Sequence, residues 1–291
     1  MTLEKTLLLG LIAGVTIALG MPIGRLRRPV PSLRLFLNAT AVGILLFLVW
    51  DVLSAAWEPI DVALAAVHDH SGGLGPVFGY GGLFAVGLSV GLLALVAYER
   101  YLDRVGRSAP RGGGPGAMSV AEQPVGALAI ARWSPARRLA LLIAVGIGLH
   151  NFAEGLAIGQ SAARNEVALA TVLVIGFALH NATEGFGIVA PLAGDVDTTG
   201  AVRRPSWGFL AAMALIGGGP TFIGTAVGRS FTSDAVSVAF LTLAAGSIIY
   251  VVCQLLGIAA KAKRPDVLAF GLLLGLLAGF ITDAIVTAGG A

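Results

Sequence analysis

Residues 138–161 read RLALLIAVGIGLHNFAEGLAIGQS, and residues 166–190 read EVALATVLVIGFALHNATEGFGIVA. Each run has the length that a helix needs to cross a hydrocarbon core of about 30 Å. Each also carries the same polar insertion near its middle. His150-Asn151-Phe152-Ala153-Glu154-Gly155 returns as His180-Asn181-Ala182-Thr183-Glu184-Gly185. Only Ala162 to Asn165 separate the two runs, so they form a tight antiparallel hairpin whose midpoints meet at similar depth.

Residues four apart on a helix share a face, so His150 stands over Glu154 and His180 over Glu184, with Asn151 and Asn181 about 100° round. An ionisable group at the centre of a bilayer costs several kcal/mol and is retained where it is paired, faces a cavity or lies on a substrate path. Two imidazoles, two carboxylates and two amide oxygens converging between two helices form a mixed nitrogen and oxygen donor set. Zinc, iron(II), manganese and cobalt all accept such a set. A buried His–Glu lock is the plainer alternative. Duplication on facing helices favours a metal site, and Gly155 and Gly185 are expected to leave room beside the carboxylates.

The rest of the chain fits a membrane. Of its 291 residues, 56% are hydrophobic and 12% charged, with a mean hydropathy of +0.88, far from the roughly quarter-charged composition of a soluble domain. Eight apolar spans are expected, at about 6–24, 33–55, 78–100, 138–161, 166–190, 206–228, 233–259 and 266–288, in a single transmembrane domain. A signal peptide is the rival reading of residues 1–24, but the basic cluster at Arg25 to Arg28 follows the apolar run instead of preceding it.

All Lys and Arg except Lys5, Arg164 and Arg229 fall in connections or at span ends on one side. That side is expected to be cytoplasmic, with both termini extracytoplasmic. The net charge of +3 is thus a topology signal and implies no nucleic-acid partner. Residues 101–137 read as a flexible cytoplasmic linker, and 56–77 as a shorter irregular outer loop holding His68, Asp69 and His70. Gly82, Gly87 and Gly91, and likewise Gly271, Gly275 and Gly279, mark close helix packing.

The duplicated cassette, the eight spans and the long connection before the fourth span resemble the ZIP family of zinc and iron permeases, prokaryotic type. The resemblance implies an all-α polytopic membrane protein with eight transmembrane helices in a 3+2+3 ZIP-like bundle. Carried over, it makes His150, Asn151, Glu154, His180, Asn181 and Glu184 the metal ligands, and implies uptake of divalent metal, zinc first, toward the cytoplasm. The expected partners are the ion as substrate and the lipid bilayer, with no further cofactor, in a prokaryotic plasma membrane. Whether two copies form a homodimer stays open.

Departures from the family pattern shape the expectation. Ala153 and Thr183 stand where the signature His-Asn-x-Pro-Glu-Gly has proline. By resemblance, Thr221 and Gln254 occupy positions of two further Glu ligands, so one well-formed site is expected, with a weak or absent second. Both residues stay candidate oxygens of the path. Asp51 resembles an acidic position near the family's entrance. Two other functions remain open: an intramembrane metalloenzyme, and a non-transporting metal-sensing membrane protein. Against the first, di-iron bundles use Glu-x-x-His at i, i+3, whereas the order here is reversed and the spacing is four.

Overall fold

The computed structural model describes every residue except 26–30, 109–129, 131–132, 165–166, 197–202, 231–232 and 289–291; a few side chains inside helices, including that of His180, are also outside the description. The protein is all-α. Among the described residues its helices are α1 (Leu3–Val15), α2 (Pro31–His68), α3 (Leu74–Ser108), α4 (Pro135–Ala163), α5 (Val167–Val189), α6 (Trp207–Gly228), α7 (Asp234–Ala260) and α8 (Pro265–Ala288). Short 3-10 turns follow α1, at Thr16–Leu19 and Met21–Arg25, and α5, at Ala190–Gly194. Among the described residues, seven helical stretches are long and apolar enough to cross a membrane, the first of them being α1 together with its 3-10 turns, Leu3–Arg25. Thr2, Ser134 and Ser206 start α1, α4 and α6 by accepting the backbone N–H three residues on.

Small residues set the packing. Helices in a bilayer gain little from hydrophobic exclusion of one another and associate by close backbone approach. Along the α4–α6 seam, a Cβ on Gly148, Gly155, Gly159, Gly224 or Gly228 would strike a backbone oxygen of the facing helix. Gly14 and Gly218 do the same between α1 and α6, Gly43 and Gly275 between α2 and α8, and Gly91 and Gly246 between α3 and α7. Of the two expected glycine rows, 271, 275 and 279 all meet α2, and Gly87 and Gly91 meet α7, whereas Gly82 has nothing within 4 Å. Gly155 and Gly185 leave no room beside the carboxylates: α6 backbone fills the first position, and Ile17 and Gly20 fill the second.

The arginines gather at one end of the bundle. Arg25 donates to Pro205 O and lies 4.8 Å over the Trp207 ring. Arg137 lies 5.4 Å over Phe209 and 3.6 Å from Asp195, and Arg138 pairs with Asp103 at 2.6 Å. This is the basic end of the bundle. At the opposite end, Arg229 donates to Thr6 Oγ1 at 3.0 Å and ties α6 to α1.

Two expected boundaries moved. The irregular connection at 56–77 is helix up to His68 and helix again from Leu74. Glu58, Pro59 and Asp61 signal the edge of the apolar zone, but a helix can outlast that zone, and Trp57 Nε1 reaches Asp61 Oδ1 one turn on at 2.9 Å. Likewise α3 continues past 100 to Ser108, and the expected linker falls largely at 109–129, outside the described residues.

Candidate metal path

Pro220 sits inside α6 and has no N–H to offer Ile216 O. The Ile216 carbonyl faces Gly148 of α4, and one residue on, Gly217 O accepts from Asn151 Nδ2 at 2.9 Å. On the other side, α1 tightens after Val15 into a 3-10 turn, and Ala13 O accepts both from Thr16 Oγ1 at 2.6 Å and from Asn181 Nδ2 at 3.0 Å. The two cassettes are therefore anchored by the same device: an asparagine amide donating to a carbonyl at an irregular point of a neighbouring helix.

A carbonyl can only accept, so the –NH2 must be the group that faces it and the amide oxygen points elsewhere. Asn151 Oδ1 and Asn181 Oδ1 are both buried and have no hydrogen-bond partner among the described residues. Buried polar atoms almost always find a partner, and an exception calls for an ion, a water or strain. His150 Nε2 lies 2.8 Å from Glu154 Oε1, with both side chains buried, and Glu184 is buried on α5. His180 belongs to α5, but its side chain is outside the described residues.

Thr221 is fully buried on α6, with its backbone oxygen against Gly155 and its Cβ facing Gly14. Its Oγ1 has no partner among the described residues. Ser247 of α7 donates to Gly146 O, one turn before His150. Gln254 is not brought to this cluster. It donates to Glu99 Oε2 of α3 at 3.2 Å, alongside Tyr250 Oη at 2.9 Å. Asp51 is half-buried within α2, seventeen residues short of its end, and does not cap a helix. Sequence reading missed the Glu99 cluster and Asn38, a single amide in the apolar run LFLNATAVGILLF.

From its hydrogen bonds, Gln254 is a structural clamp between α3 and α7. Gln254→Ala is expected to lower the thermal midpoint by the equivalent of about 1 kcal/mol, with half-saturating zinc unchanged in a flux assay. A rise in half-saturating zinc would put the residue back on the path.

An apolar groove of about 740 Å³ between α1 and α6 contains no cassette residue in its lining. The buried polar atoms described above lie instead between α1, α4, α5 and α6.

A polytopic all-α bundle that buries imidazole, carboxylate and amide groups amid its helices fits the class of intramembrane cation-handling proteins. The chain belongs to the ZIP zinc transporters, whose family model matches residues 122–287. It is also 30% identical to the zinc transporter ZupT of Escherichia coli O7:K1 (strain IAI39 / ExPEC) over 287 residues, spanning 97% of this chain and 98% of that protein. It is thus an integral membrane protein of a divalent metal ion transport family, placed with transporters and not with enzymes.

Proposed function

We propose that the chain moves zinc across the plasma membrane of a prokaryote toward the basic end, with His150, Asn151, Glu154, His180, Asn181 and Glu184 holding the ion midway. The observation that carries this reading is the pair of anchored asparagines, each with a buried Oδ1 lacking a partner among the described residues. Two carboxylates offset the charge of one divalent ion. With Thr221 in place of a third carboxylate, a second ion would lack compensation in a medium where uncompensated charge is expensive, so one ion at a time is transported. The basic end is the cytoplasmic side, which leaves both termini outside, and the whole chain acts as a single transmembrane domain.

The test is zinc influx into proteoliposomes holding a fluorescent metal indicator. Saturable influx well above that of protein-free vesicles is expected. A folded protein that binds metal but passes neither zinc, iron(II), manganese nor cobalt would overturn the proposal and favour a sensor.

A further inference from the structure

All three asparagines among the described residues share one habit. Asn38 of α2 is 4% exposed and donates its Nδ2 to Leu255 O of α7 at 3.2 Å, as Asn151 donates to α6 and Asn181 to α1. The facing carbonyl again fixes the amide's orientation. Asn38 Oδ1, like the other two amide oxygens, is buried with no partner among the described residues.

Helix geometry gives its place relative to the cassette. A methyl on Gly187 of α5 would stand 3.6 Å from Leu255 Cδ1 and 3.9 Å from Ala41 Cβ. Gly187 is one turn past Glu184 toward the basic end, and Asn38 is one turn past Ala41 in the same direction. Two turns of three residues at 1.5 Å each put Asn38 about 9 Å beyond Glu184. At Gly187 a Cβ would make only ordinary contacts, whereas at Gly185 it would strike the backbone of Ile17 and Gly20. Asn38 also borders a small cavity with Arg34, Gly24, Phe186 and Val189, at the junction of α2, the end of α5 and the Met21–Arg25 turn.

We infer that Asn38 Oδ1 is a second station on the metal path, taking the divalent ion after it leaves the Glu184 level and before it reaches the basic end. This rests on the reading of the cassette as a metal path. A neutral oxygen next to a guanidinium holds a cation weakly. Weak holding suits an exit station, since conduction requires each site to bind well enough to be entered and poorly enough to be left.

The alternative role is a tether between α2 and α7, and two variants separate the roles by opposite signatures. Neither Asn38→Asp nor Asn38→Leu can donate to Leu255 O as the amide does at neutral pH. Asn38→Asp keeps an oxygen there and adds charge, while Asn38→Leu removes the oxygen. In proteoliposomes at pH 7.5, Asn38→Asp is expected to lower half-saturating zinc several-fold. Asn38→Leu is expected to lower the maximal rate about tenfold, at unchanged half-saturating zinc, the scale of losing one good polar partner. Equal loss in both variants, failure of both to fold, or wild-type kinetics in Asn38→Leu would overturn the station. Absence of zinc influx in the wild type would instead overturn the proposed function.

Discussion

Zinc influx falls at least a hundredfold, to the level of protein-free vesicles, when Glu154 and Glu184 are both replaced by alanine. The two carboxylates are the negative charges of the cassette, and both are buried. A divalent ion entering this site leaves its water behind. Imidazole and amide donors ease that step without offsetting the charge, and a hundredfold loss corresponds to only about 2.8 kcal/mol, less than a charged group costs at mid-bilayer on some scales. The same variant separates a metal site from a structural lock. If the carboxylates exist to hold metal, zinc at a hundred times its Kd stabilises the wild type by about 2.7 kcal/mol. The double variant then shows no zinc-dependent rise, and its metal-free midpoint is no lower than that of the wild type. A metal-free midpoint several degrees lower, with influx retained, would make the His150–Glu154 contact of 2.8 Å a lock.

The second large effect involves no chemistry. Gly224→Val is expected to prevent accumulation of folded protein, and Gly224→Ala to lower the thermal midpoint in detergent. A Cβ at 224 would collide with Phe152 O and crowd Leu156 N of α4, atoms that cannot move without displacing the helix bearing the first cassette. Alanine gains about 0.5–1 kcal/mol over glycine within a helix, but overpacking costs about 1–3 kcal/mol, so the clash prevails. Gly82→Ala is the control, because nothing lies within 4 Å of its Cβ. It is expected to be neutral or slightly stabilising. Equal midpoints for the alanine variants at 82 and 224 would refute the seam.

The helices were legible because bilayer thickness imposes a length that apolar runs must meet, and the cassette because a repeated polar insertion in such runs is conspicuous. What escaped the sequence reading follows from the same rule. Hydropathy reports where a helix leaves lipid, so it stopped α2 at residue 55 although its backbone bonds continue to His68. It read 6–24 as one helix, although α1 turns to 3-10 geometry after Val15 and there presents Ala13 O to Asn181. Resemblance put Gln254 beside a path, whereas the facing of α7 on α3 gives it to Glu99. Asn38 drew no notice because a single amide has no spacing to read; its meaning depends on Leu255 lying opposite.

The glycine seams also have a genetic consequence. Every glycine codon begins GG, and any change at its first or second base installs a side chain or a stop. At Gly148, Gly155, Gly159, Gly224 and Gly228, each such side chain places a Cβ into the facing backbone. Random mutagenesis should therefore yield inactive alleles at these residues as readily as at the proposed metal ligands, and the two kinds separate by amount of protein: seam alleles missing from the membrane, alleles at the proposed ligands present and silent.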